Sequence, residues 1–469
     1  MSRQRMSNAD AAWFHMDRPT NLMVVNSVMW FAEPIDFDEA RAIYRERLVK
    51  QFPRFAQRVV EAGMPPRHPR WEDDPGFDLD RHIHHHALPA PGDRRALQER
   101  VADLTSTPLD RSKPLWDIYV LDGYGPGTAV LWRTHHCIAD GVALGRVLLS
   151  LTDERPEVEL APAKSGARRS VFQAVTGPVQ AGARLAGAGL HEGLELLAQP
   201  GSELGDLAAR AATDARVLAK LLSAPPDTKT NLRHRPAPTR RVAWSDPIPL
   251  AGIKAIGQAT GTTVNDVLLA ATAGALRRHL VRHGGVVDAI HAIVPFDLRP
   301  SDEPLPRELG NRFGLVSVAL PVGASGPAQR LALVHDAMNQ IKGSPEGSLS
   351  YGMLGAVGMT PSGIERRLID LFTSRATAVI TNVAGPARPV YFAGSELLGV
   401  VPWVPTGGTI GIGLSIFSYN GGLTLGLQAD PGLVPDLDII ITDIEREVRA
   451  LAKLRMPVAA TRVRHRAPA

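Results

Sequence analysis

Two adjacent histidines, His135 and His136, followed after three residues by Asp140 and Gly141, are the side chains whose types and spacing suit chemistry. A neutral imidazole is well matched to taking a proton from an alcohol, because its ordinary pKa lies close to ambient pH. Removing that proton while the oxygen attacks a thioester carbonyl contributes roughly 10²–10⁴-fold in rate. The reaction can proceed in one ternary complex, with no enzyme-bound acyl group. The apolar run Ala129–Thr134 before the pair reads as a strand. Successive side chains at a strand end face opposite ways, so only one of the two imidazoles faces a given cavity. Asp140-Gly141 makes the turn that starts a helix over Val142–Leu151, with Asp140 suited to the helix start.

The elements around this segment follow from periodicity. Leu22–Phe31 and Ile118–Leu121 read as strands, Asp36–Phe52 as an amphipathic helix, and Arg95–Leu104 as a second helix. From Glu154 to Arg241 the sequence turns rich in Pro, Ala, Gly and Arg. Its helical pieces, Gln180–Leu197 and Leu207–Leu222, lack a single apolar stripe, which marks a crossover between halves. The second half opens with a helix over Leu250–Gln258. A loop with N-cap chemistry, Gly261–Asp266, then leads into a helix over Val267–Leu280. Strands are expected at Ala289–Pro295 and Gly314–Leu320, helices at Ala328–Ile341 and Ile364–Phe372, and a last amphipathic helix at Pro435–Leu454. Thr409–Gln428 reads as a hairpin turning on Asn420-Gly421. A chain of 469 residues exceeds one ordinary core. The division expected is 1–153, a crossover over 154–241, and 242–469.

Composition narrows the classes. Apolar and charged fractions of 44% and 21% are those of a globular protein. The single cysteine, Cys137, excludes a disulfide framework and suits a reducing compartment. No apolar run reaches the ~18–20 residues of a spanning helix, and no secretory signal follows Arg3 and Arg5. The net charge of +4 suits an anionic substrate or lipid surface. Neither a zinc-ligand spacing nor an arginine-rich helix points to nucleic acid. His82, His84, His85 and His86 lack a matching carboxylate or cysteine spacing, so no metal is expected. Cys137 reads as a small buried hydrophobe rather than a nucleophile.

The His-His-x-x-x-Asp-Gly segment resembles the active-site motif of the CoA-dependent acyltransferase superfamily. Further segments resemble the bacterial wax ester synthase/diacylglycerol acyltransferases. They are Pro108-Leu109-Asp110 with Pro114-Leu115-Trp116, Asn265–Ala270, Leu309-Gly310-Asn311-Arg312, Thr381–Pro386 and Ser418–Gly421. They run in order from Pro108 to Gly421. The resemblance implies an α/β fold of two chloramphenicol acetyltransferase-like domains, each a mixed sheet flanked by helices, with the site in a cleft or tunnel between them. It implies a catalytic set of His136, His135 and Asp140, with His136 the general base and the other two holding the local geometry. Gly141 supports the turn, Arg299 is the partner expected for Asp140, and Asp297 competes for that arginine. Asn265 and Asp266 brace the second half near the cleft, where a capping role is the simpler reading.

The activity implied is acyl transfer from acyl-CoA, a substrate rather than a cofactor, to diacylglycerol or a long-chain alcohol. Transfer from a carrier-protein thioester and non-catalytic lipid binding are the alternatives. The expected setting is cytoplasmic, peripheral on a membrane or on lipid inclusions, with the basic tail Arg462–Arg466 adding attraction to anionic lipid. The glycine face of Thr409–Ser418 is a candidate channel wall, with close sheet packing as the other reading. The resemblance makes the Met- and aromatic-rich segment Trp13–Met23 a candidate tunnel mouth, with core packing as the other reading.

Overall fold

The computed structural model describes residues 3–61, 68–158, 160, 225–233, 237–285, 287–300, 303–342, 344, 346–357 and 370–454. The expected helices Gln180–Leu197 and Leu207–Leu222 and the tail Arg462–Arg466 lie outside them, as does most of Ile364–Phe372.

In chain order the strands are β1 Arg3–Arg5, β2 Val24–Phe31, β3 Gln57–Val60, β4 Arg70–Asp73, β5 Ile83–Ala87, β6 Trp116–Tyr124, β7 Gly127–His135 and β8 Arg241–Trp244. They continue with β9 Ile248–Pro249, β10 Ile290–Asp297, β11 Phe313–Leu320, β12 Ala378–Ala384, β13 Tyr391–Phe392, β14 Ser395–Trp403, β15 Ile412–Tyr419 and β16 Gly422–Ala429. The helices are α1 Asn8–Met16, α2 Phe37–Ile43, α3 Arg94–Thr105, α4 Gly141–Leu151, α5 Leu250–Thr260, α6 Val264–Arg282, α7 Pro327–Lys342, α8 Glu346–Val357 and α9 Leu437–Leu451.

Two mixed sheets carry the architecture, ordered β13-β14-β2-β7-β6-β5 and β11-β10-β12-β15-β16-β8, with β9 also pairing β16. Helices flank both, as the α/β expectation required. Strand β14 comes from the second half of the chain but pairs antiparallel with β2, Val400 opposite Met29 and Trp403 opposite Asn26. The first sheet is therefore completed by residues far beyond position 242. Tryptophans tie the sheets together: Trp244 of β8 stacks on Trp30 of β2 at 6.0 Å and lies 5.9 Å from Trp403 of β14.

Local chemistry explains the elements near the site. The last helix buries Ile440, Ile441, Ile444, Val448 and Leu451 against the second sheet, each worth about 1.5–3 kcal/mol of transfer free energy. The hairpin turns at Asn420 and Gly421, whose φ values of 46° and 76° are those of a primed turn. Neither Gly411 nor Gly413 of its glycine face lines the cavity described below. A Cβ on Gly426 would lie 2.3 Å from Val401 Cγ1, and one on Gly411 would lie 1.9 Å from Leu433 Cδ1. The glycines serve close approach of neighbouring layers.

Helix α6 starts earlier than expected. Thr263 is its N-cap, with Thr263 Oγ1 accepting from the Asp266 amide at 3.2 Å and Asp266 Oδ2 accepting from the Thr263 amide at 2.9 Å. This reciprocal capping box places Asn265 and Asp266 in the first helical turn rather than in a loop.

Strand β10 opens the second sheet. It pairs with β11 along its whole length, Ile290 to Asp297, but with β12 only at Ala292 and Ile293. The amides of Leu315 and Ser317 in β11 donate outward to Ser350 Oγ and Glu346 Oε1 at 2.8 and 3.1 Å. Leu315 is the register partner of Pro295, and opposed residues that exchange no bonds both turn their peptide groups away from each other. The edge on which Pro295 lacks an N–H therefore faces β12. The ladder ends where the missing donor would have continued it.

Candidate active site

The gap between β10 and β12 is one wall of a cavity of about 450 Å³, a size usual for small-molecule sites. Ile293, Val294, Pro295 and Phe296 line it from β10, and Val379, Thr381, Asn382 and Val383 from β12. Leu315, Met353 and Leu354 add apolar surface, exposed Leu371 borders it, and Trp13, Met16, His136, Asp140 and Asn265 complete it. The segment Trp13–Met23 thus supplies cavity wall at Trp13, Met16 and Met23.

His136 follows the last residue of β7, and its amide donates to Met23 O at 2.7 Å. Its ring lies flat against Trp13, with centroids 4.1 Å apart and planes at 13°, and Phe313 stands 5.5 Å away. Nδ1 is 2.9 Å from Asn311 Oδ1. Burial pushes the imidazole pKa below its ordinary value, opposed by the nearby Asp140 charge, the histidine's own backbone and the Asn311 contact. The ring is therefore neutral at neutral pH.

His135 points the other way, as alternation at a strand end requires. It is not among the cavity-lining residues, which separates it from the reacting groups. Its Nδ1 accepts from the Cys137 amide at 3.1 Å, Asp17 Oδ1 lies 3.9 Å from Nε2, and burial holds its pKa down to about 4. Cys137 is fully buried, and burial raises its thiol pKa well above the ordinary value. A thiol kept protonated away from the cavity is a poor nucleophile.

Asp140 caps α4, with Oδ1 accepting from the Ala143 amide at 2.9 Å. Its Oδ2 accepts from the Arg312 amide at 2.9 Å and lies 2.7 Å from Arg299 Nη1. Arg299 also reaches Asp297 Oδ1 at 3.1 Å and donates to Gly310 O at 2.8 Å. Asp297 shares the arginine rather than displacing Asp140, and burial, with the Asp140 charge second, raises its pKa to about 6. Gly141 opens α4 and lines the cavity. Asn265 faces the cavity and accepts a bond from Asn382 Nδ2, whereas Asp266 turns away to His335 Nδ1 at 2.8 Å.

Two residues without a stated part in the site sit directly on it. Asn311 Nδ2 donates to Asp10 Oδ1 and to His136 O, both at 2.7 Å, and the Asn311 amide donates to Asp10 Oδ1 at 3.0 Å. Asn311 stood out in sequence only as part of Leu309–Arg312, and Asp10 not at all. The loop is pinned to the histidine turn by Gly310 N donating to Ile138 O at 3.0 Å; Gly310 holds a φ of 106°, a conformation that favours glycine. The histidines at 82 and 84–86 diverge. His82 is buried on Trp116, His84 meets Asp117, and His85 meets Asp122; among the described residues no group of three metal-ligating side chains forms.

Comparison with known proteins agrees with this architecture. The family model of the wax ester synthase/diacylglycerol acyltransferase catalytic domain matches residues 6–268, and that of the WS/DGAT C-terminal domain matches 309–452. A Mycobacterium tuberculosis protein described as a probable diacylglycerol O-acyltransferase is 29% identical over 88% of this chain and 87% of its own length. A Mycobacterium bovis relative of like description is 30% identical over 76% of this chain and 77% of its own. Among solved structures, the wax ester synthase/diacylglycerol acyltransferase of Marinobacter aquaeolei VT8 superposes with a TM-score of 0.68 at 23% identity, covering 96% of this chain and 100% of that one. The first condensation domain of the CDA synthetase shares the fold, at a TM-score of 0.60 and 17% identity over 97% and 98%. With both domain models matched in order, the chain belongs to the wax ester synthase/diacylglycerol acyltransferase family and is an O-acyltransferase.

Proposed function

We propose that this O-acyltransferase moves a long acyl group from acyl-CoA to the hydroxyl of diacylglycerol or a long-chain alcohol, with His136 as general base. The observation that carries this reading is a neutral imidazole bordering a cavity whose other walls are largely apolar. Its Nδ1 is engaged by Asn311, and Nε2 is the ring nitrogen left to act.

In this mechanism Nε2 takes the hydroxyl proton as the alcohol oxygen bonds to the thioester carbonyl carbon. The tetrahedral intermediate collapses with cleavage of the carbon–sulfur bond, and the imidazolium returns its proton to the departing thiolate. The products are ester and free CoA, and the protein ends unchanged. Asp140 and Arg299 hold the turn after His136; His135 acts only through that turn. Asn265, Thr381 and Asn382 border the cavity and are available to the carbonyl oxygen. The relatives' names supply diacylglycerol as one acceptor class; the apolar walls suit either alcohol.

No helix of the described residues is long and apolar enough to cross a membrane. Lipid substrates then require peripheral contact with a membrane or lipid inclusion, as part of the same proposal. The chain division at 153 and 242 is likewise proposed, with 391–403 crossing back into the first sheet. Incubation of purified protein with labelled palmitoyl-CoA and competing diacylglycerol and hexadecanol tests the reading. Labelled triacylglycerol or wax ester is expected with release of free CoA; no ester without a carrier-protein thioester would refute it.

A further inference from the structure

We propose that Asn311, braced by Asp10, is the residue that positions His136 and places its proton on Nδ1. The inference rests on His136 being the base. It adds a residue from each half of the chain that touches no reacting atom.

The argument is one of donors and acceptors. Asn311 Nδ2 faces Asp10 Oδ1 and His136 O, both at 2.7 Å. A carbonyl has no hydrogen to give, and an ionised carboxylate has none either, so both amide hydrogens are spent there. Rotating the amide by 180° would set its oxygen against two acceptors, which fixes the orientation without reference to hydrogen positions. Asn311 Oδ1 then faces His136 Nδ1 at 2.9 Å as an acceptor, and Nδ1 must be the donor. The lone pair is left on Nε2. Both ends of the histidine, ring and backbone carbonyl, are held by one amide.

Asp10 makes the amide rigid. It sits in the first turn of α1, its own amide capped by Ser7 Oγ at 3.0 Å, and it is 6% exposed. Its Oδ1 binds Asn311 at both the backbone amide and the side chain. The helix that supplies Trp13 to one face of the imidazole thus also supplies the carboxylate behind its clamp.

The test uses the full chain labelled with ¹⁵N-histidine, in wild type, Asn311→Ala and Asn311→Asp. Wild type should show the Nδ1–H tautomer at His136, and Asn311→Ala a mixture of tautomers. In Asn311→Ala kcat should fall about 10²-fold, the usual cost of a misplaced catalytic group, with KM for acyl-CoA within about twofold. Asn311→Asp keeps an acceptor for Nδ1 but sets its second oxygen against Asp10 Oδ1 and His136 O, so it should hold the Nδ1–H tautomer while losing the brace. Its acid limb should move up by about one pH unit or more, because a carboxylate beside the ring favours the imidazolium. A merely structural asparagine would leave tautomer and pH profile unmoved. An Nδ1–H signal and wild-type kcat in Asn311→Ala would overturn the proposal. The two readings fail separately: an active His136→Ala removes the base assignment, whereas an inactive His136→Ala beside a silent Asn311→Ala removes only the positioning role.

Discussion

Arg299 Nη1 lies 2.7 Å from Asp140 Oδ2, both side chains nearly fully buried, and so joins the histidine turn of the first half to the strand end of the second. Removing Arg299 leaves Asp140 and Asp297 buried without their cation, which costs about 3–5 kcal/mol. Arg299→Ala should destabilise by that amount, Asp140→Ala by less because Arg299 keeps Asp297, and the double variant by clearly less than their sum. Denaturant unfolding of the four proteins measures it; additive losses would remove the pair from the account.

His136→Gln should lower kcat about 10²–10⁴-fold, the usual contribution of a general base. The melting temperature should stay near wild type, since the ring borders a cavity and glutamine retains bulk against Trp13. Retained turnover in a folded variant would remove the mechanism.

Cys137→Ala should remain active, with a loss of stability of about 1 kcal/mol. Intact-protein mass spectrometry under turnover should find no acyl adduct on Cys137; an adduct there would replace the ternary-complex route with a covalent one.

Acidification should separate wild type from His135→Asn. Burial holds His135 near a pKa of about 4, so below its ordinary 6.5 the unfolded chain takes up a proton that the folded protein refuses. Stability from this group is lost as pH falls through that window, amounting to about 2 kcal/mol at pH 5. Asp10 works in the opposite sense, its carboxyl held up to about 6 by burial. Wild type alone therefore blurs the effect, and the comparison exposes it. Between pH 7 and pH 5 the variant should gain on wild type by that amount in urea unfolding. An unchanged gap would mean His135 already carries a proton in the fold.

Val379→Phe should shift acyl preference toward shorter chains, because Val379 lines the cavity on β12. The kcat/KM ratio of palmitoyl-CoA over octanoyl-CoA should fall at least about tenfold. An unchanged ratio would place the acyl chain elsewhere.

The elements that carry local periodicity were legible in the sequence: β2, β7, α4, α9 and the β15–β16 hairpin lie close to their expected limits. So was the family, from motifs spread along the chain. Start signals were less clear, since the cap of α6 falls on Thr263 and not on the Asn-Asp pair after it. Non-local choices were not legible. Nothing in the pattern of Ser395–Trp403 says that its partner is β2 rather than a strand of its own half. The brace of His136 was hidden for the same reason, because Asp10 and Asn311 stand 301 residues apart and neither type signals a partner. The glycine face of the hairpin offered two readings that only the packing of Leu433 on Gly411 and Val401 on Gly426 bears on.

The parting of β10 from β12 beyond Ile293 gives the cavity stiff rails. Each rail is anchored on its far side, β10 by β11 through eight register pairs and β12 by β15 through seven. A slot framed this way keeps its width when empty, unlike a crevice between helices that can slide together. If the proposed acyl chain occupies it, the ordering cost of loading such a slot falls on the alkyl tail rather than on the protein. Under the proposed function it would work as a fixed gauge, with length selection set by the side chains that stop its far end.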